Sequence, residues 1–153
     1  MITVRTAEKK DLAAIHALVV ELAVYENEPD AVTATLQDYE VDFEADFFRA
    51  FVAESDGNIV GMALYYIAYS TWKGRMLYLE DFVVTQSHRR QGLGELIFER
   101  VIEEARNIGA NRMKWQVLDW NKPAIKFYEK YKAEFDEGWF NVNLGREQLQ
   151  MSK

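Results

Sequence analysis

Two adjacent carboxylates, Glu80 and Asp81, interrupt an otherwise apolar run from Leu77 to Val84. A strand of Leu, Tyr, Phe and Val disfavours ionised groups at its centre, so something must compensate this pair. Adjacent strand residues point to opposite faces, and at least one of the two should therefore meet a buried surface or a cleft. Burial raises a carboxylate's pKa and makes it a better proton acceptor near neutral pH, whereas a nearby ammonium favours the charged form. Pairing with Arg or Lys, or an earlier end to the strand, would explain the same residues without chemistry.

The next group follows within a few positions. Arg89-Arg90-Gln91-Gly92-Leu93-Gly94 places glycines where backbone can approach a ligand closely, just before a helix whose first amides and dipole favour an anion. A diphosphate suits such a loop. No Gly-Lys-Ser/Thr is present for a P-loop, and the third glycine of a dinucleotide fingerprint would fall at Ile97. The plain alternative is a strand-to-helix turn.

A third group is Asn121-Lys122-Pro123-Ala124-Ile125-Lys126-Phe127-Tyr128. Periodicity alone reads it as a capped amphipathic helix with Phe127 and Tyr128 in a core, although a phenol can also donate a proton. The acidic residues Glu26, Glu28 and Asp30 would ordinarily be solvated. His16 and His88 are far apart in sequence and make no metal site, so no metal is expected.

These groups are carried by a chain of 153 residues, 49% hydrophobic and 14% aromatic, sufficient for one compact domain spanning 1–153. Its net charge of -7 disfavours nucleic acid or an anionic membrane as a partner and favours cationic ones. With no cysteine, disulfides and a cysteinyl acyl intermediate are excluded. No apolar run is long enough to span a bilayer and no signal-peptide core follows Met1, so a cytoplasmic protein is expected.

The elements that must position the chemistry can be read in order. Ile2–Arg5 is a strand, and Asp11 is placed to cap a helix carrying Leu12, Ile15, Leu18, Val19 and Leu22 on one face. Pro29 ends that region before a weaker helix from Leu36 to about Asp46. Two strands, 48–54 and 59–68, flank the hairpin turn Ser55-Asp56-Gly57-Asn58, and 75–85 is a third. A helix from Gly94 to about Asn107, stopped by Gly109, then a strand over 113–118, a helix capped by Asn121 and a strand over 139–144 complete the chain. The order β-α-α-β-β-β-α-β-α-β indicates an α/β fold with a mixed sheet flanked by helices.

Several separated segments together resemble the GNAT acetyltransferase superfamily, most closely its diamine branch of spermidine/spermine and thialysine acetyltransferases. They are Leu77-Tyr78-Leu79-Glu80-Asp81-Phe82, the Arg-x-x-Gly-x-Gly loop from Arg89 to Gly94, and Trp120-Asn121-Lys122-Pro123 leading to Phe127-Tyr128, with weaker support from 21–26 and from Tyr65-Tyr66 before Trp72. The resemblance implies a mostly antiparallel, twisted GNAT-like sheet, acetyl-CoA as acetyl donor and a homodimer. It implies cofactor contacts at Phe82, Val83, Val84, Arg89, Arg90, Gln91, Gly92, Leu93, Gly94, Glu95, Asn121 and Tyr131. Glu80 would act as base, Tyr128 would protonate the leaving thiolate, and Tyr25, Glu26, Glu80, Asp81, Lys114, Trp115 and Gln116 would line the acceptor side.

The implied reaction is direct attack of a small cationic amine, such as a polyamine, diamine or lysine analogue, within a ternary complex. An ammonium must first be attracted and then deprotonated, and carboxylates can do both. The chain departs from the pattern at Lys132, where the family often has glycine, at Tyr131, where polyamine enzymes commonly carry a basic residue, and at Lys114, a cation in the acceptor strand. Acetylation of a protein amine or another amino compound, and a noncatalytic acyl-CoA-binding module, are the competing readings.

Overall fold

The computed structural model describes residues 1–151. The chain packs as two compact units, Met1–Gln116 and the remainder from Val117. In the first unit β1 (Ile2–Thr6), α1 (Leu12–Tyr25), α2 (Leu36–Glu44), β2 (Arg49–Ser55), β3 (Asn58–Ser70), β4 (Gly74–Val84), α3 (Leu93–Asn107) and β5 (Arg112–Lys114) follow one another. The five strands form one sheet in sequence order. The first four pair antiparallel, and β5 pairs parallel to β4.

One sheet face carries Ala50, Val52, Met62, Leu64 and Val83 against Leu12, Ile15 and Leu18 of α1, with Tyr39 and Phe43 of α2 packed beside them. On the other face α3 supplies buried Leu93, Ile97, Phe98, Val101 and Ala105. Phe98 joins this core at 1% exposure, while Leu96, two residues before it, is 54% exposed. The β2–β3 turn has Asp56 at φ 51° and Gly57 at φ 83°, the left-handed pair that a tight two-residue hairpin requires. Gly109, at φ 72°, follows the last turn of α3 as its composition predicts.

Three expectations need correction. Asp11 does not cap α1: it closes a 3-10 turn, accepting from the Glu8 amide at 2.7 Å, and binds the Arg5 guanidinium through both oxygens at 2.8 and 3.0 Å. A buried carboxylate gains more from a bidentate guanidinium than from one helix amide. The strand expected over 113–118 pairs only at Arg112–Lys114. The final strand expected over 139–144 makes no ladder among the described residues. Its apolar residues Trp139, Phe140, Val142 and Leu144 are all strongly exposed, so alternation alone did not make a strand.

The second unit contains α4 (Lys122–Glu129) and α5 (Arg146–Met151). Asn121 caps α4, its side-chain oxygen accepting from the Ala124 amide at 3.4 Å, and Pro123 sits in the first turn. Among the described residues no helix is long and apolar enough to cross a membrane.

Candidate functional site

Strand β4 is irregular where it matters. Leu64 pairs with Asp81 and Tyr65 with Leu79, leaving Glu80 as an extra residue in a β-bulge. Without the bulge, Glu80 and Asp81 would face opposite sides of the sheet. Asp81 is opposite Leu64 and thus lies on the α1 face. Glu80 reaches the same face, where its Oε1 accepts from the Tyr66 hydroxyl at 3.4 Å, and Tyr66 is the cross-strand partner of Tyr78. The bulge therefore gathers both carboxylates on one face.

Their environments differ. Glu80 is exposed, whereas Asp81 is largely covered and has its pKa raised to about 6, first by burial and then by the charges of Glu80 and Glu26. Glu26, just past α1, is itself raised by burial. Three phenols surround the group. Tyr66 is pushed up to about 12 by burial and then by the Glu80 charge, and Tyr39 and Tyr78 rise for the same two kinds of reason. The Tyr66 and Tyr78 rings stack with centroids 5.2 Å apart. Sequence reading missed these tyrosines around the acids, because neither a bulge nor a cross-strand pair leaves a local motif.

The glycine loop has the shape of an anion cradle. Arg90 and Gly92 are left-handed at φ 65° and 76°, and Gly92 begins α3 without a side-chain cap. The first α3 amide to bond within the helix is that of Leu96, to Gly92 at 3.2 Å, so the amides of Leu93, Gly94 and Glu95 lie ahead of the ladder. A Cβ at Gly92 would meet nothing within 4 Å, which leaves room for a ligand at the backbone. Gln91 and Arg90 are exposed beside it, whereas the Leu93 side chain is buried.

Arg89 is directed elsewhere. Its Nε donates to the Val84 carbonyl at 2.9 Å, and its guanidinium lies 5.4 Å from the Tyr25 ring centroid and 3.9 Å from Glu21. It ties the end of β4 to α1 and fixes the loop's take-off. Tyr25 is thereby engaged by Arg89.

The Phe82–Val84 stretch offers backbone. Strand β5 accompanies β4 only from Met76 to Tyr78, so that edge of β4 has no ladder from Leu79 onward among the described residues. Open amides and carbonyls there suit an extended amide-bearing ligand. Phe82 packs on Phe98 at 5.6 Å, and Val83 is buried in the α1-side core. Lys114 ends β5 as an exposed residue, Trp115 packs edge-on against Phe98 at 5.4 Å, and Gln116 is exposed.

In the second unit Tyr128 is buried at 7% exposure, with its ring 5.6 Å from Phe127, and Tyr131 lies 5.5 Å from the same phenylalanine. Lys132 adopts φ 58°, the left-handed conformation that glycine takes without strain. The departure from the family pattern is thus one of residue type and not of backbone path.

The bulged acidic strand, the uncapped glycine turn and the capped tyrosine helix occur in the order that marks one family, whose model, the Acetyltransferase (GNAT) family, matches residues 9–132. The chain belongs to the GNAT acetyltransferase family. It is 38% identical over 151 residues to the thialysine N-epsilon-acetyltransferase of Bos taurus, covering 90% of this chain and 89% of that protein. It is 35% identical over 158 residues to the human spermidine/spermine N(1)-acetyltransferase-like protein 1, covering 95% of this chain and 23% of that longer protein. The crystal structure of a predicted acetyltransferase from Clostridium acetobutylicum with acetyl-CoA matches with TM-score 0.77 at 16% identity, over 94% of this chain and 96% of that one. The diamine branch is the part of the GNAT family to which this acetyltransferase is similar. The expected mixed, mostly antiparallel sheet flanked by helices is the fold observed, apart from its final strand.

Proposed function

We propose that this acetyltransferase moves the acetyl group of acetyl-CoA to a primary amine of a small cationic acceptor, in one domain formed by the whole chain. The observation that carries the reading is the gathering of Glu80 and Asp81, under the charge of Glu26, on one face of a strand that runs into the α3 cradle. The similarity to thialysine and spermidine/spermine enzymes agrees with it.

When bound, acetyl-CoA would supply a thioester carbonyl open to attack by an amine. Amides from Arg90 to Glu95 would hold its pyrophosphate, and the open edge at Phe82–Val84 its pantetheine, with Asn121 and Tyr131 as further contacts. Arg89 supports this loop from behind. The acids Glu26, Glu80 and Asp81 draw in the ammonium. Glu80, the exposed member of the pair, accepts the ammonium proton directly or through water, which frees the nitrogen lone pair. As the N–C bond formed and the C–S bond broke, the Tyr128 hydroxyl would give its proton to the departing sulfur, and the proton the nitrogen sheds in becoming an amide would pass through water to restore the phenol. With no cysteine to carry the acetyl group, attack within a ternary complex is the direct route.

The same reading includes a cytoplasmic homodimer. The exposed side chains of Trp139, Phe140 and Val142 support a second copy as partner, and light scattering tests it. For the activity, the test is CoA release from acetyl-CoA with spermidine, spermine, putrescine, lysine and thialysine, with mass spectrometry of the products. A mono-acetylated amine is expected, and no CoA release with any of them overturns the reading.

A further inference from the structure

Resting on the acetyl-CoA reading above, the structure assigns Glu21 as the positioning residue of the diphosphate loop. From α1 it holds both the end of β4 and the take-off of that loop, and so sets where the loop's amides meet the cofactor. It acts through Thr85 and Arg89.

Glu21 lies near the end of α1, one turn before Tyr25 and on the same side of the helix. Its Oε1 accepts from the Thr85 hydroxyl at 3.0 Å, while the Thr85 amide donates to the Val60 carbonyl at 2.8 Å, so the first residue after β4 is tied to the helix and to the sheet at once. The other oxygen, Oε2, is buried and accepts no hydrogen bond among the described residues, with Nη2 of Arg89 3.9 Å away. A buried carboxylate oxygen without a donor is costly unless a cation faces it, and the guanidinium is that cation. Arg89 is held in place in turn by its Nε bond to the Val84 carbonyl at 2.9 Å and by the Tyr25 ring.

The loop has few other anchors. Between Thr85 and Arg89 lies a single 3-10 turn, Gln86–His88, and beyond it Arg90 and Gln91 are exposed, with side chains that make no hydrogen bond or ion pair among the described residues. The chain then turns through left-handed Arg90 and Gly92 into α3, so a shift of the take-off is carried to the amides of Leu93, Gly94 and Glu95. Misplaced donors hold a diphosphate less well. The pantetheine edge at Phe82–Val84 is fixed by the β3 ladder instead, so the two parts of the cofactor depend on different supports.

Acetyl-CoA and S-acetylpantetheine share the thioester and differ in the diphosphate and nucleotide, which separates an effect on the loop from a general one. With whichever amine of the panel above reacts fastest, Glu21→Gln, which keeps the shape and loses the charge, should lower the ratio of kcat/KM for acetyl-CoA to that for S-acetylpantetheine about tenfold, through the acetyl-CoA KM and not through kcat. Calorimetry should show the Kd for CoA raised by the same factor. Arg89→Gln should act alike, and the double variant should lose no more than either alone, because the two side chains work as one unit. Thr85→Val should give a smaller loss of the same kind, about threefold, and it carries the comparison if Glu21→Gln does not fold. An equal loss with both thioesters, an unchanged or raised ratio, or additive losses in the double variant overturns the inference and leaves the acetyltransferase reading standing. A wild type that binds no CoA overturns both.

Discussion

Asp81 combines a covered position with a nearby acidic charge, and replacing it with asparagine should make the protein more stable at neutral pH. Its pKa rises from 3.8 to about 6 in the folded protein, first through burial and then through the charges of Glu80 and Glu26. Because the folded value lies above the unfolded one, the native state binds the extra proton between them. Stability is fully present below the unfolded pKa and is lost as pH rises through about 6. A gap of about two pH units corresponds to about 3 kcal/mol. An asparagine side chain would keep the shape without the charge, so Asp81→Asn should gain on the wild type by about 3 kcal/mol between about pH 4 and about pH 7.5. Urea unfolding of both proteins across that range measures the difference. Glu26 titrates in both proteins and cancels to first order. Parallel stability curves, within about 0.5 kcal/mol, would refute the buried-charge account. The variant should also bind the cationic acceptor more weakly, which is why a destabilising carboxylate is tolerated at this position.

Other outcomes follow from the same geometry. Because a bound ammonium favours ionised Asp81, acceptor binding near pH 6 should release protons, seen as a buffer-dependent calorimetric heat, and affinity should fall as pH drops through about 6. Gly92→Val places a branched side chain at φ 76°, and it should cost about 1–2 kcal/mol of stability while raising the acetyl-CoA KM, read by thermal melts and initial rates. Glu80→Gln should lower kcat most at low pH, where the amine most needs a base, and Tyr128→Phe should slow CoA release; full activity in both variants would remove those role assignments. Asp11→Ala should destabilise the fold by about 2–3 kcal/mol, since it removes the bidentate, buried partner of Arg5 and leaves that guanidinium to Glu54 and the more distant, exposed Glu8; a melt at neutral pH measures it. The Arg5 guanidinium holds the Asp11 carboxyl below the usual range, so this contribution is fully present above the unfolded carboxylate pKa and is lost as pH falls through the lower folded value.

Much of this protein follows from short-range rules. Asn121 and Pro123 announced α4, Asp56-Gly57 the hairpin and Gly109 the end of α3, because a cap, a left-handed turn and a helix stop depend on a few neighbouring residues. The glycine loop and the carboxylate pair were visible for the same reason, and their order along the chain was enough to mark the family. Local pattern failed at Asp11, where a guanidinium from β1 outcompeted the helix amide, and at 139–144, where alternation of apolar residues did not produce a ladder among the described residues.

Composition and local spacing thus determined most of the element types, the acidic balance, the carboxylate pair and the glycine loop. Only the tertiary structure decided which side of the sheet each residue faces. A one-residue bulge turns Glu80 onto the face of Asp81, and the parallel register of a three-residue strand puts Lys114 on that face too. Register depends on pairing between strands distant in sequence, and with a side-chain period of two a single inserted residue reverses the answer.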